Sequence, residues 1–405
     1  MSTLRRSLTD PLCWVLLVPA LIKLFFLAPV DLFEAHTIAV EWLRSGEFRY
    51  HHLGVWNPNY QFPVYPAIVA GFLLAGLGVY GVLVFQVLCG TVSAWLVYRL
   101  ALEVNGEGET SQRIALAVAL LTGLSPFIAV YQVRMVHPFA WDMLLALALI
   151  TGGFVIRPAR SWQLIGFFAL AGIALLNRST AVLFLLPFLW MQRSFLLRMD
   201  HLPMKAIALT VLFLPTSLWV LRNRAELGTW SLNSAMGQNL WLGVQEATEG
   251  TAQLADGRNY TALLTVAELV ELQQRSPLEQ SVFFTQRWRG SIGADPSLWG
   301  RMMGVKLRNF WLFRAQLGMH HQGVAQWATA LFKGYAVGLF ALLLIGAWFG
   351  NAAVRLLLST LLLYSVAQAL FYVETRHRLV VEPVLLLIAV SGVVAVWQRY
   401  RRSGS

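Results

Sequence analysis

The sequence has few charged residues. Only 13% of its 405 residues are Asp, Glu, Lys or Arg, whereas 57% are hydrophobic and the mean hydropathy is +0.60. A soluble domain carries about a quarter charged residues, so this chain lacks the polar surface of a water-soluble particle. Apolar runs recur along it, many close to the ~20 residues with which a helix crosses a bilayer core. Because backbone groups in lipid must bond within the segment, these runs predict helices, and the chain is predicted to be an all-α polytopic membrane protein.

Cysteine is also scarce, and the basic residues are not gathered into one patch. Cys13 and Cys89 are the only cysteines and both lie in apolar runs, so no disulfide framework is predicted. The net charge of +11 comes from short basic clusters between apolar runs, as the positive-inside rule requires, which argues against nucleic acid as a partner. The first apolar run follows Arg5 and Arg6 without a small-residue cleavage site, so we interpret it as a retained span.

Ten membrane spans can be drawn from the apolar runs. They cover residues 12–29, 81–101, 114–132, 138–156, 162–176, 180–192, 205–222, 327–348, 353–372 and 379–397. If both termini lie on the cytoplasmic side of a bacterial inner membrane, most basic residues of the loops lie on that side as well. The apolar stretch from Val64 to Val79 would invert every later loop if it crossed, so we predict an interfacial or re-entrant helix there, with an eleventh span as the alternative.

Two segments predicted on the outer face are longer than simple connections. Residues 31–61 form a first loop rich in acids and aromatics, and residues 223–326 form a larger one whose later part has helical apolar spacing. We therefore divide the chain into an N-terminal membrane core (1–222), an outer helical region (223–326) and C-terminal membrane helices (327–405).

Short motifs follow one another in order along the chain. They are Asp31, Phe62-Pro-Val-Tyr-Pro66, Leu124-Ser-Pro126, Leu176-Asn-Arg178-Ser-Thr180, Leu221-Arg-Asn223, Gly237-Gln-Asn239-Leu-Trp241, Asp295-Pro296 and Glu374-Thr-Arg376-His-Arg378. Their order and placement resemble the GT-C glycosyltransferases, in particular the bacterial branch related to protein mannosyltransferases and the aminoarabinose transferase. The resemblance implies a GT-C-type fold of about 10–11 transmembrane helices plus interfacial helices. It also implies sugar transfer from a polyprenyl-phosphate donor to a glycan, lipid or protein acceptor on the outer (periplasmic) face.

The resemblance gives the acids of the outer loops their roles. In such enzymes the first-loop aspartate deprotonates the acceptor during an inverting displacement, and by position this role falls on Asp31, with Glu34 in support. From the residues alone, Asp31 could instead be an interfacial acid that caps the next helix. A second acid is expected near the fourth span, where either His137 or Asp142 could serve. An acid pair could hold a divalent cation and His137 would suit a softer ion, so the sequence leaves metal use undecided.

Four arginines predicted on the outer side are candidates for binding the lipid phosphate: Arg178, Arg222, Arg376 and Arg378. A guanidinium group binds phosphate oxygens in a bidentate way, and charges at the membrane boundary are often functional. The alternative for each is snorkelling to the lipid headgroups. Two other functions stay open. A transporter or flippase of lipid-linked sugars often has two related halves, which we do not find, and a lipid-linked glycan ligase or polymerase would not need the Asp31 cluster.

Overall fold

The structure is a computed structural model that describes residues 10–157, 161–198, 200–254, 256–314 and 326–403. Within these ranges helices dominate, and the strands are two or three residues long. The all-α fold class predicted from composition is therefore confirmed. Residues 315–325, at the end of the predicted outer region, lie outside the described residues.

The N-terminal half alternates helices with very short strands. Its elements are α1 (Pro11–Phe25), β1 (Asp31–Leu32), α2 (Glu34–Ser45), β2 (Tyr50–His52), β3 (Val55–Asn57), α3 (Val64–Leu74), α4 (Gly78–Asn105), α5 (Glu109–Leu124), α6 (Pro126–Val133), β4 (Met135–Val136), α7 (Phe139–Val155) and α8 (Ser161–Asn177). Local signals set several boundaries. The α2 helix ends at Gly46, whose φ of 77° is a left-handed conformation that glycine adopts without strain. Ser125 caps α6 and Pro126 is its first residue, which breaks the predicted span 114–132 into two helices bent by 49°.

The C-terminal half begins with a 3₁₀ segment and contains the large loop. Its helices are α9 (Leu186–Met191) after the 3₁₀ turn Ser179–Leu185, α10 (Arg193–Leu197), α11 (Leu202–Leu227), α12 (Met236–Leu242), α13 (Val266–Gln273), α14 (Pro277–Ala294), α15 (Pro296–Trp311), α16 (Gln326–Phe349), α17 (Ala352–Ala369), α18 (Thr375–Leu379) and α19 (Glu382–Ser403). Capping boxes begin α13 and α14, with Thr265 and Ser276 as the respective caps. The large loop is thus helical, as its apolar spacing predicted.

Five of the described helices are long and apolar enough to cross a membrane, namely α4, α11, α16, α17 and α19. The bent pair α5–α6 would make a sixth span. The other predicted spans are shorter apolar helices of 10–17 residues, so the total of ten or eleven crossings stays a prediction. At eleven residues, α3 is ~16 Å long, about half of a ~30 Å hydrocarbon core, which favours the interfacial interpretation of the stretch after Val64.

The first loop is joined to a second loop, residues 134–138 between α6 and α7. Asp31 and Leu32 of β1 pair in parallel with Met135 and Val136 of β4. Gln86 of α4 donates its side-chain amide to the carbonyls of Tyr131 and Gln132 at the end of α6 and of Met135 in β4, the last at 2.8 Å. These bonds satisfy backbone groups that would otherwise be buried without partners. Both loops are therefore fixed next to each other at one end of the helices.

Candidate functional site

A cavity of about 600 Å³ opens where the first loop, the second loop and the loop before α18 meet. Its titratable lining residues are Glu34, Tyr60, Tyr65, His137, Asp142, Arg178, Tyr372, Arg376 and His377. Five of the eight predicted site residues are in this set: Glu34, His137, Asp142, Arg178 and Arg376. The structure therefore brings together residues from positions 34 to 376 of the chain.

Asp142, in the first turn of α7, is bound to the residues that follow α8. Its Oδ2 lies 3.0 Å from Arg178 Nη2, and Asn177 donates its Nδ2 to Oδ1 at 2.5 Å. The carboxylate is 5% exposed, so burial makes this pairing important for keeping its charge. Asp142 thus holds the Arg178 guanidinium group at the cavity wall.

Arg376 is held in a similar way by its own loop. Its Nε lies 2.7 Å from Glu374 Oε2, and its guanidinium group lies over the ring of Phe33, 5.9 Å from the ring centre. Burial opposes its charge, but Glu374 and other neighbours raise the pKa of Arg376, so it remains a cation. Two arginines, each fixed by a carboxylate, therefore line one cavity.

The histidines of the cavity are both bound through Nδ1. In His137 this atom accepts the backbone N–H of Phe139 at 3.1 Å, and the ring packs edge-on against Phe33. In His377 it accepts the backbone N–H of Glu374 at 3.3 Å. Burial, together with the Arg178 and Arg376 guanidinium groups, lowers the pKa of His377 well below its usual range. His377 is therefore a neutral ring between two cations.

Arg378 does not line the cavity. It is 1% exposed and pairs with Glu382, whose Oε2 lies 3.1 Å from Arg378 Nε. Its Nη1 donates to the carbonyls of Trp311 and Leu312 at 3.2 and 2.9 Å. These contacts join the C-terminal end of α15 to α19 and satisfy the last carbonyls of α15. The placement of Arg378 thus supports a structural role.

Arg222 and Asp31 also lie outside the cavity lining. Arg222 donates to the carbonyl of Pro58 at 2.6 Å and covers the ring of Trp219, which fastens the first loop to α11. The backbone N–H of Asp31 bonds to the carbonyl of Arg134 at 3.2 Å as part of the β1–β4 pair. Glu34, three residues further on, borders the cavity instead and accepts a hydrogen bond from Gln61 at 3.3 Å.

Sequence reasoning did not assign roles to several residues of this cavity. Asn177 and His377 belong to motifs of the predicted resemblance, but in those motifs only the neighbouring arginines were given a role. Tyr60 and Tyr372 carried no signal, because aromatic residues are common in such a chain. In the described part of the chain, His, Cys, Asp and Glu side chains form no group of three or more that could hold a metal ion. The structure thus assigns no residues to a divalent cation.

Comparison with known proteins supports the predicted resemblance. Residues 60–219 match the model of the dolichyl-phosphate-mannose-protein mannosyltransferase family, which is less than half of the chain. Among solved structures, the chain is similar to ArnT from Cupriavidus metallidurans, crystallised with undecaprenyl phosphate. The identity is 17%, over 94% of this chain and 77% of that one, with a TM-score of 0.42. No curated protein matches. The chain is a multi-pass membrane protein that resembles GT-C glycosyltransferases of the protein-mannosyltransferase type.

Proposed function

We propose that this protein transfers a sugar from a polyprenyl-phosphate carrier to an acceptor on the periplasmic face of the bacterial inner membrane. The observation that carries the proposal is the cavity, which joins two carboxylate-held arginines to an acid of the first loop. The family match supports the class of donor, because that family is named for a sugar carried on a polyprenyl phosphate.

The arginines suit the leaving group. When the sugar leaves, the bond between the anomeric carbon and the phosphate oxygen breaks and the lipid phosphate keeps the electron pair. Donors fixed where this charge develops stabilise the transition state without having to reorganise. Arg178 and Arg376 are fixed in this sense by Asp142 and Glu374. The two guanidinium groups would bind the phosphate oxygens and favour their departure.

An acid of the first loop would take the proton of the acceptor. The acceptor oxygen attacks the anomeric carbon from the side opposite the phosphate, so the configuration inverts, and its proton must pass to a base. The family resemblance assigns this role to Asp31 with Glu34 in support. Of the two, Glu34 is the one that borders the cavity, so the geometry supports Glu34 more directly.

The experiment is a transfer assay with the purified protein and a labelled polyprenyl-phosphate sugar, against a panel of glycan, lipid and protein acceptors. We expect labelled product with at least one acceptor, and its loss in Arg178→Gln. Arg258→Gln is the matched control, because Arg258 is 66% exposed and pairs only with Asp256 among the described residues. Movement of the donor across a vesicle membrane, without cleavage of the bond between sugar and phosphate, would overturn the proposal in favour of a flippase. Transfer of a preassembled glycan chain would favour a ligase.

A further inference from the structure

His377 occupies an unusual position among the cavity residues. It is the third residue of α18 in a capping box with Glu374, and it is 6% exposed. Its Nδ1 accepts the backbone N–H of Glu374, so this nitrogen carries no proton. A neutral imidazole has one N–H, and the tautomer follows from the hydrogen bond of the other nitrogen. Nε2 of His377 therefore carries the proton.

The Nε2–H group has no hydrogen-bond partner among the described residues. Every hydrogen bond of His377 with those residues is accounted for by its backbone and by Nδ1. Nε2 is not one of the fully buried side-chain atoms that lack a hydrogen-bond partner, so it is accessible, and the ring borders the cavity. A donor that no protein group binds and that is accessible from a cavity can bind an acceptor of a ligand.

We infer that His377 binds the substrate phosphate, donating Nε2–H to one of its oxygens between Arg178 and Arg376. The inference rests on the proposed function, because it takes the ligand to be a polyprenyl phosphate. A phosphate oxygen is an anionic acceptor, and hydrogen bonds to charged acceptors are the stronger ones. The same geometry excludes His377 as the general base, since neither ring nitrogen is free to accept a proton.

The neutral state of the ring explains why a histidine suits this position. A third cation next to two guanidinium groups would be repelled by both, and burial would disfavour it further. A neutral imidazole supplies a directed donor without adding charge. The low pKa of His377 keeps it in this form throughout the physiological range.

Two substitutions test the donor role of His377 with the helix cap preserved. In His377→Asn, the side-chain oxygen can still accept the N–H of Glu374, but no N–H reaches the position of Nε2. In His377→Gln, the amide nitrogen can reach that position, and the amide oxygen can accept the N–H of Glu374 as in other capping boxes. We expect His377→Asn to bind radiolabelled undecaprenyl phosphate about 10- to 100-fold more weakly than wild type, as for a lost hydrogen bond to a charged group. His377→Gln should retain most of the affinity.

The binding assay uses the full chain in nanodiscs, with unfolding temperatures measured alongside. Unchanged affinity in His377→Asn would overturn the inference and leave His377 as a helix cap. Failure of the wild type to bind undecaprenyl phosphate would instead overturn the proposed function, so the two failures are distinct.

A second measurement observes the ring of His377 directly in the wild-type protein and needs a variant only to assign its resonances. With ¹⁵N-labelled histidine, the His377 resonances, identified by their loss in His377→Gln, should show a proton on Nε2. They should also shift when undecaprenyl phosphate is added. A proton on Nδ1, or no shift upon saturation, would refute the phosphate contact.

Discussion

The pair between Asp142 and Arg178 gives the sharpest test of how the site is built. Asp142→Asn keeps the size of the side chain but removes the charge that faces Arg178. Removing one member of a fully buried ion pair destabilises a protein by about 3–5 kcal/mol. Here Arg178 is 28% exposed towards the cavity, and the Asn oxygen can still accept from Asn177, so we expect about 1–3 kcal/mol.

The kinetic effect follows from the position of Arg178. If Asp142 serves to hold Arg178, its loss should lower kcat/KM for the donor about tenfold, and this loss should largely disappear when Arg178 has already been replaced. If Asp142 were the second catalytic acid, kcat should fall by about 10²–10⁴ with KM almost unchanged. A double-mutant cycle with Arg178→Gln, followed by chemical unfolding and by kcat/KM for the donor, should give a coupling of about 1–3 kcal/mol.

The outcome that would refute this reasoning is a loss of kcat in Asp142→Asn together with additive effects in the cycle. That result would mean that Asp142 acts on the substrate and not through Arg178. Asp256→Asn is a matched control, because Asp256 pairs with an arginine on the exposed surface. It should change neither stability nor turnover by more than the ~0.5 kcal/mol usual for surface sites.

Three further predictions follow from the placement of the charged residues. Glu34→Gln should lower turnover by about 10²–10⁴ with donor binding retained, as for loss of a general base; the same loss in Asp31→Asn, with Glu34→Gln active, would return the role to Asp31. Arg376→Ala should weaken donor binding about tenfold or more without loss of folded protein. Arg378→Ala should instead lower the free energy of unfolding by about 3–5 kcal/mol, because the buried Glu382 loses its cation; equal donor defects with equal stabilities would contradict this. Burial lowers the pKa of Lys306 from 10.5 to about 8, so between these pH values only the unfolded lysine holds the proton and stability should rise with pH. Lys306→Met should remove up to about 3 kcal/mol of that rise in chemical unfolding, and an unchanged slope would refute it.

Hydropathy was sufficient to place apolar helices where the spans were drawn, because a helix that crosses a bilayer needs a minimum length and an apolar composition. The ends of these helices were harder to predict. The span predicted over residues 114–132 breaks at Ser125 because a capping serine and a following proline favour a new helix start. That signal was present in the sequence, but two helices at a bend and one straight span have the same apolar content, so hydropathy could not separate them.

The pairing of charges could not be predicted from the sequence. Asp142 and Arg178 are 36 positions apart, and the contact between them depends on how α7 packs against the turn after α8. In the loop before α19, Arg376 and Arg378 looked equivalent. Both lie in the short helix α18, where residues two apart point about 200° from one another, so only one of them can face the cavity. A helix of five residues is too short to be recognised from a hydropathy pattern.

The charges around the cavity finally bear on how the donor is held. Arg178 and Arg376 are balanced by Asp142 and Glu374, and Glu34 adds a negative charge, while His377 is neutral. This group carries no excess of positive charge, so a free phosphate ion gains little by entering it. The affinity for a polyprenyl phosphate must come mainly from its apolar chain, at about 0.8 kcal/mol per buried CH₂. We therefore expect millimolar inorganic phosphate to leave the binding of undecaprenyl phosphate almost unchanged, with potassium chloride of equal ionic strength as the control. Displacement by micromolar phosphate would show that the arginines act as a strong anion site, and would refute the view that the apolar chain supplies most of the affinity.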